Sequence, residues 1–170
     1  AITSGGGGSA AVVLVAETTR LATTVTATDP DGTAQNLSFT LSSGPDKALF
    51  AIDASTGVLS FLTAPDYEAP LDANGDNIYE VVVQVADGTG AVDLQAIAVT
   101  VTPVNETPPA ITSSAAASVA ENTTAVLTVT ASDADQPAES LTYSLAGGAD
   151  AALFAIDAST GVLSFLTAPD

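Results

Sequence analysis

The chain contains no cysteine, histidine, tryptophan or methionine. Without cysteine, neither disulfide bonds nor thiol chemistry is available. The missing histidine removes the commonest general base and, with cysteine, the usual transition-metal ligands. A carboxylate pair acting on glycosides is the catalytic option that remains. Because the acidic residues are better explained as metal ligands, we predict that the protein is not an enzyme.

Basic residues are almost absent, with 2 Lys plus Arg against 20 Asp plus Glu and a net charge of −18. This charge repels nucleic acids and anionic lipids, which proteins bind through basic side chains. There is also no apolar run of about 18 residues that could span a bilayer. We therefore predict no nucleic-acid partner and no direct membrane insertion in this segment. Hydrophobic residues make up 46% of the chain, which excludes a disordered composition and predicts a folded protein neutralised by cations.

The chain repeats itself. Leu49–Asp66 and Leu153–Asp170 share the identical sequence LFAIDASTGVLSFLTAPD, 104 positions apart. A period of this length is typical of small all-β domains in tandem. We predict repeat one at 1–107, including its C-terminal linker, and repeat two at 108–170. The AITS motif recurs at an offset of 109 instead, and we expect the run Gly5–Gly8 to absorb the difference as a flexible insertion.

Short segments that alternate apolar and polar residues predict β-strands, and no segment has a convincing helical period. About seven strands per repeat favour an all-β fold of tandem Greek-key β-sandwiches. In Ile78–Val85, the alternation places Tyr79, Val81, Val83 and Val85 on one face. The predicted strands are Leu21–Thr28, Leu37–Leu41, Leu141–Leu145, Val58–Leu62, Ile78–Val85 and Ala91–Thr102.

Repeat two is incomplete, because it stops at the counterpart of Asp66. It therefore lacks equivalents of the last two strands of repeat one, and such a sandwich would expose its apolar interior and an open edge. The simpler interpretation is a fragment of a longer polypeptide, in keeping with an N-terminal residue that is not Met. The alternative is strand exchange, in which strands of a neighbouring molecule complete the repeat.

Acidic residues gather beside the predicted strand ends. Repeat one has them in the motifs VAE (Glu17), TATDPDG (Asp29, Asp31), PDYE (Asp66, Glu68), VADG (Asp87) and PVNETPP (Asn105, Glu106). Repeat two has them in VAEN (Glu121), ASDADQ (Asp133, Asp135) and, at its last residue, Asp170. In this order and at this spacing, the motifs resemble those of the cadherin repeat.

The resemblance implies calcium bound between successive domains. It implies one ligand set from both sides of the junction: Glu17, Asp66, Glu68, Asn105, Glu106, Asp133 and Asp135. Asp29, Asp31 and Asp87 would then serve a preceding junction, and Glu121 and Asp170 a following one. The linker Pro103-Val104-Asn105-Glu106-Thr107 departs from the family's usual Asp-x-Asn-Asp-Asn, so we expect one to three ions per junction.

Calcium also suits these residues on physical grounds. It takes six to eight oxygen ligands in irregular geometry, which fits carboxylates gathered from loops. Without a cation, carboxylates gathered in one place repel one another. The alternative is that these acids are solvated turn residues. A second acidic loop, Asp72–Asn77, resembles the start of an EF-hand, but Val83 stands where the bidentate Glu is needed. We interpret that loop as a surface turn, with an extra calcium site as the alternative.

These observations predict an extracellular tandem-repeat protein rigidified by calcium, acting as an adhesin stalk or as a subunit of an extracellular filament. Its expected partners are Ca²⁺ and neighbouring repeats or copies of itself. The alternative is a carbohydrate-binding or enzyme-associated module. Sugar-binding faces usually present exposed aromatic rings, and a chain with 5 Phe, 3 Tyr and no Trp offers few of them.

Overall fold

A computed structural model describes residues 1–30 and 36–170. The described chain forms two compact units, Ala1–Val104 and Asn105–Asp170. Helical structure in the first unit, within the described residues, is limited to the 3-10 turns Ser4–Gly6 and Lys47–Leu49. Its strands are β1 (Ala10–Ala16), β2 (Leu21–Thr24), β3 (Ser38–Ser43), β4 (Phe50–Ile52), β5 (Val58–Phe61), β6 (Ile78–Ala86) and β7 (Val92–Thr102).

The strands of the first unit form two sheets, with the orders β1-β7-β6-β3 and β2-β5-β4. β6 pairs antiparallel with both β7 and β3, whereas β1 pairs parallel with β7. Non-consecutive neighbours in each sheet mean that the chain crosses between the sheets, as in a Greek-key arrangement. The predicted all-β sandwich is confirmed.

The hydrophobic core of this unit lies between the two sheets. Alternate residues of β6 are buried, and the prediction that Tyr79, Val81, Val83 and Val85 share one face is confirmed. The Tyr79 ring meets the Phe61 ring edge-on, with centroids 5.1 Å apart and planes at 87°. Edge-to-face packing of this kind adds about 1 kcal/mol to the burial of the rings.

The glycine run near the N-terminus is held in place and is not a free insertion. Gln95 of β7 is fully buried, and its Nε2 donates to the carbonyl oxygens of Ser4 (3.0 Å) and Gly8 (2.8 Å). Its Oε1 accepts from the Ser4 hydroxyl. Gly5 adopts a φ of 60°, a left-handed conformation that favours glycine. Gln95 therefore fixes the path of the chain into β1.

The second unit has five short strands in two sheets, ordered β10-β8 and β11-β12-β9. Where its sequence repeats that of the first unit, the local structure repeats as well. Gly57 and Gly161 have φ of 71° and 70°, and a Cβ at either would collide with the carbonyl oxygen of Val25 or Val129. The strands are β8 (Ala110–Ile111), β9 (Ala125–Thr128), β10 (Ala131–Ser132), β11 (Phe154–Ile156) and β12 (Val162–Phe165).

The predicted strand Leu141–Leu145 is wrong, because these residues form no strand. Its counterpart in the first unit, β3, pairs with β6 alone. Residues 105–170 contain no counterpart of β6. A segment with the correct alternation therefore lacks the neighbour whose hydrogen bonds would make it a strand. The predicted strand Leu21–Thr28 is also too long, since β2 ends at Thr24.

Candidate metal centre

Glu17 directly follows β1 and is fully buried, at 0% exposure. Its Oε2 accepts a hydrogen bond from the backbone N–H of Tyr67 (2.7 Å), and its Oε1 accepts one from that of Val104 (2.6 Å). These bonds join the ends of β1 and β7 to the loop between β5 and β6. Each carboxylate oxygen retains a second lone pair for a cation.

Asp66 and Glu68 lie in that loop. Asp66 Oδ1 accepts from the backbone N–H groups of Glu68 and Ala69, both at 3.0 Å, which is the geometry of a side-chain-stabilised turn. This turn leaves Glu68 half-buried, with a carboxylate oxygen within 4.8 Å of one of Glu17. The first unit therefore brings Glu17 and Glu68 together, with Asp66 two residues away in the same turn.

Two buried carboxylates, those of Asp46 and Asp72, bind the backbone of the same loop between β5 and β6. Asp46 is buried, and its two oxygens accept from the backbone N–H groups of Ala73 and Glu80, both at 2.7 Å. Asp72 accepts from the N–H groups of Asp76 and Asn77. The acidic loop Asp72–Asn77 thus uses its carboxylates to order its own backbone, as the surface-turn interpretation expects.

Asn77 connects this acidic loop to the candidate ligands. Its Nδ2 donates to the carbonyl oxygen of Tyr67 (3.0 Å), and its φ of 62° allows the chain to turn back into β6. Sequence reasoning missed Asp46 as a support. The local sequence Gly-Pro-Asp-Lys is that of an ordinary surface turn, and only β6, more than thirty residues later, buries the carboxylate.

Asp29 and Asp87 line a cavity of 210 Å³ together with Asp93, at the start of β7. Glu17 lies beside the other end of β7. Because a strand rises about 3.3 Å per residue, the length of β7 separates Glu17 from Asp29, Asp87 and Asp93 by roughly 35 Å. Hydrogen bonds from Thr89 lower the pKa of Asp87. Hydrogen bonds from the backbone N–H groups of Ile2 and Leu94 lower the pKa of Asp93. Sequence reasoning did not include Asp93 in this acidic group. Asp31 lies outside the described residues.

The second unit gathers its own acidic residues near its first residues. Asp135 is 3% exposed, and its Oδ2 accepts from the backbone N–H of Thr107 (3.0 Å). Asp133 Oδ1 accepts from the backbone N–H of Asp135 (3.1 Å). Asn105 and Asp133 line one cavity, and Glu106 is exposed.

Glu121 and Asp170 are exposed. Glu121 is the counterpart of Glu17, and the backbone beside it repeats one bond, from the N–H of Asn122 to the carbonyl oxygen of Pro169. In the first unit, the ends of β7 and Val104 cover Glu17. Residues 105–170 contain no counterpart of these elements, so the carboxylate of Glu121 faces solvent.

The donor atoms of the candidate ligands around Glu17 and around Asp135 fit a hard divalent cation. Every candidate ligand is a carboxylate or an amide, and the chain has no histidine or cysteine that would favour a softer metal. Oxygen donors held by loop backbones suit Ca²⁺, which accepts variable geometry, better than Mg²⁺, which demands a regular octahedron. The net charge of −18 also attracts cations to the protein.

Comparison with known proteins identifies the family. The family model of the cadherin domain matches residues 12–104. Human protocadherin Fat 4 is 31% identical over 148 residues, a match that covers 83% of this chain and 3% of Fat 4. The chain therefore spans only a small part of the length of this relative.

Solved structures show the same fold. Mouse cadherin-23 EC22-24 matches with a TM-score of 0.70 and 24% identity, covering 96% of this chain and 53% of that one. The human desmocollin-1 ectodomain matches with a TM-score of 0.68 and 22% identity, covering 96% of this chain and 34% of that one. Among the described residues, no helix has the length and apolar character needed to cross a bilayer. The match over residues 12–104, more than half of the chain, shows that the chain belongs to the cadherin-domain family.

Proposed function

We propose that this chain is part of an extracellular adhesion array in which calcium stiffens the junction between successive cadherin-like repeats. In this proposal residues 1–107 form a complete repeat with its linker, and residues 108–170 belong to the next one. The protein works mechanically, as a spacer in an adhesin stalk or as a filament subunit, and not as an enzyme. Membership of the cadherin-domain family and the ectodomain origin of a matched structure support the extracellular location.

The observation that carries the proposal is the way the linker is anchored. The N–H of Val104 binds Glu17 in the first unit, and the N–H of Thr107 binds Asp135 in the second. These anchors are three residues apart, so chain length alone keeps their Cα atoms within about 11 Å. The two buried carboxylates are therefore tethered to the same short segment. We assign Glu17, Asp66, Glu68, Asn105, Glu106, Asp133 and Asp135 as the calcium ligands.

Calcium would supply charge neutralisation and a common set of bonds to both ends of the linker. Affinities of extracellular calcium modules are about 10⁻⁴ to 10⁻³ M. At about 10 mM calcium, each site of that affinity stabilises the bound form by about 1.4–2.7 kcal/mol. This energy is small beside the burial of a sandwich core, so calcium restricts the hinge more than it folds the first unit.

We extend the proposal to the neighbouring junctions. Asp29, Asp31 and Asp87 would bind calcium with a preceding repeat, and Glu121 and Asp170 with a following one. In support, Asp29 and Asp87 already line one cavity, at the end of the sandwich opposite Glu17.

The test is calcium binding by isothermal titration calorimetry on the full chain. We expect binding in the range of about 10⁻⁴ to 10⁻³ M. Replacing Glu68→Gln in the first unit or Asp135→Asn in the second should each weaken it by about tenfold or more, because each removes a charged ligand of one shared site. The matched control is Glu80→Gln, which removes an exposed carboxylate on the outer face of β6.

Two results would contradict the junction site. The first is that the full chain binds no calcium at about 10 mM, which is tenfold above the weakest dissociation constant expected, about 10⁻³ M. The second is equal weakening by Glu80→Gln, which would mean diffuse attraction to the acidic surface. Circular dichroism of each variant would show that the sandwich of the first unit is intact.

A further inference from the structure

β1 is an edge strand of the four-stranded sheet, and its outer edge is unpaired. Among the described residues, β7 is the only strand that pairs with β1, and the pairing runs without a register shift along the whole of β1. Just before β1, the carbonyl oxygen of Ser9 accepts from the N–H of Ala96. Just after it, the N–H of Glu17 donates to the carbonyl oxygen of Thr102. Odd-numbered residues therefore direct their backbone groups toward β7, and even-numbered residues direct theirs away from it.

The even-numbered residues of β1 form an apolar edge. Val12 and Leu14 are 75% and 72% exposed, which is unusual for side chains of this size. The edge, called here the free edge, consists of Ala10, Val12, Leu14 and Ala16. A long, apolar and unpaired strand edge is a template on which another strand can add.

The two edges of this sheet differ in how they are protected. Proteins usually guard an edge strand with charged residues, proline or a bulge. The opposite edge strand, β3, has a register shift between Leu41 and Ser43, and the N–H of Phe39 donates to the carbonyl oxygen of Ala54, after β4. β1 has the sequence AAVVLVA, without charge or proline, and a regular ladder with β7. The free edge is therefore well suited to pairing.

The side chains of the free edge match a second copy of themselves. Read in either direction, their sizes run small, large, large, small. In an antiparallel pair with a two-fold axis at Val13, Val12 faces Leu14 of the second copy. Ala10 then faces Ala16 of the second copy, so that large residues meet large ones and small residues meet small ones. In this register, the even-numbered residues also direct their N–H and carbonyl groups toward each other.

Charge also favours a second copy as the occupant. Two chains with a net charge of −18 each repel one another, so they approach most easily where no carboxylates meet. The free edge carries no carboxylate. Glu17, which follows it, is fully buried and bound by the N–H groups of Tyr67 and Val104. A basic partner, by contrast, would find no opposite charge on this edge.

We propose that two copies of this chain associate through β1, with their free edges paired antiparallel about a two-fold axis at Val13. The pairing joins the two sheets into one continuous sheet with four strands from each copy. Val12 and Leu14 of each copy pack against Leu14 and Val12 of the other, on the outer face of that sheet. This lateral contact goes beyond the junction between successive repeats in the proposed function, and it needs no calcium.

The test is sedimentation equilibrium of the full chain in excess chelator, which removes the calcium junction from the measurement. We expect a monomer–dimer equilibrium that strengthens several-fold between about 0.1 M and about 1 M sodium chloride, because salt screens the repulsion between two acidic chains. Hydrogen exchange followed by NMR then locates the contact. The N–H groups of Val12 and Leu14 should exchange about tenfold or more slowly in the dimer. That of Val13 already faces β7 and should change far less.

Paired substitutions test the register. Val12→Lys and Leu14→Glu should each weaken dimerisation by about tenfold or more, because each places a charge against an apolar side chain twice per dimer. The double variant should dimerise more strongly than either single variant, because its two new charges are opposite and face each other across the interface. The matched control is Leu71→Glu, which should leave dimerisation unchanged. Leu71 is 70% exposed, close to the 72% of Leu14, but lies outside β1.

Three results would overturn the proposal. One is a chain that stays monomeric at millimolar concentration in high salt. Another is a dimer that Val12→Lys and Leu14→Glu leave intact, because the contact would then lie elsewhere on the chain. The third is a double variant that dimerises no more strongly than the single ones, which would exclude the two-fold register. Circular dichroism of each variant shows whether the first unit remains folded.

Discussion

Glu17 and Glu121 occupy the same place in the repeat, yet Glu17 is buried and Glu121 is exposed. The local motif is the same in both, Val-Ala-Glu. What differs is the pair of backbone N–H groups that bind Glu17, from Tyr67 in the loop before β6 and from Val104 after β7, neither of which has a counterpart in residues 105–170. A buried carboxylate needs such donors, since leaving one unpaired costs several kcal/mol. The environment of a candidate ligand is therefore set by a distant strand, and the motif alone does not determine it.

Asp53 behaves differently, because its environment is entirely local. Its Oδ1 accepts from the backbone N–H groups of Ser55 and Thr56 and from the Ser55 hydroxyl. Hydrogen bonds from Thr56 and Ser55 hold the pKa of this carboxyl well below its ordinary value of 3.8. Asp157 makes the same bonds in the second unit, and its pKa is lowered in the same way.

We predict that the Asp53 turn loses its stabilising effect in acid. The folded pKa lies below the unfolded one, so the contribution is present above about pH 4 and is lost as the pH falls toward the folded pKa. The variant Asp53→Asn should melt at a lower temperature than the wild type at pH 7. The difference should narrow at pH 2 to 3, measured by thermal unfolding of the full chain.

The control for this prediction is Asp157→Asn, the identical change in the second unit. It should leave the melting of the first unit unchanged, because the two turns are separate. A gap between wild type and Asp53→Asn that stays constant from pH 7 to pH 2 would show that the charge of Asp53 is not what stabilises the turn.

At the scale of elements, alternation in the sequence predicted the central strands well and the peripheral ones poorly. β6 and β7 alternate along nine and eleven residues, and the structure contains both within two residues of the predicted bounds. β1 is a continuous apolar run, AAVVLVA, and β4 has only three residues, so neither has a usable period. Residues 141–145 alternate but lack a partner.

The candidate site was predictable to the extent that its ligands repeat. The carboxylates near strand ends recur with the period of the array, and Glu17 and Glu68 lie together in the structure. Asp46 and Asn77, which support the ligand loop, were not predictable. Their partners are backbone N–H and carbonyl groups, which every sequence offers, so no residue pattern marks these contacts.

Gln95 offers a test of how one side chain fixes an element. We predict that Gln95→Glu, nearly isosteric, destabilises the first unit by about 2 kcal/mol or more. The buried carboxylate has no N–H to donate to the carbonyl oxygens of Ser4 and Gly8, and it would face them with a negative charge. Urea unfolding at neutral pH measures the free energy of unfolding.

The comparison variant is Gln84→Glu, on β6, where the side chain is only half-buried. It introduces the same charge on the same sheet and should cost little. Backbone hydrogen exchange in residues 2–9 should be faster in Gln95→Glu than in the wild type, and unchanged in Gln84→Glu. If both variants had equal stability, the N-terminal segment would not depend on the Gln95 amide.

At the scale of the whole molecule, the dominant facts are the net charge and the lack of basic residues to offset it. Salt screens carboxylates that are farther apart than about 8–10 Å, but not those collected within a few ångströms. The repulsion that matters is therefore concentrated where loops gather acids, around Glu17 and around Asp135. A divalent cation shared by both groups would turn this repulsion into a connection.

We predict that calcium narrows the range of dimensions that the chain adopts in solution. Small-angle X-ray scattering at about 10 mM calcium should give a narrow distribution of dimensions. This concentration is above the dissociation constants of about 10⁻⁴ to 10⁻³ M expected of such modules. Excess chelator should broaden it and change the maximum dimension, because the linker of a few residues then becomes a free hinge. Asp135→Asn should scatter alike with and without calcium.

Far-UV circular dichroism under the same conditions separates a loosened hinge from an unfolded second unit. The distinction matters because that unit has no buried hydrophobic side chain of its own in residues 105–170. If chelator changes the scattering while the β-sheet signal holds, calcium acts on the junction. If both change together, calcium supports the fold of the second unit, and the change in scattering does not by itself show a stiffened junction. A maximum dimension that ignores calcium while the fold is intact would contradict the mechanical role.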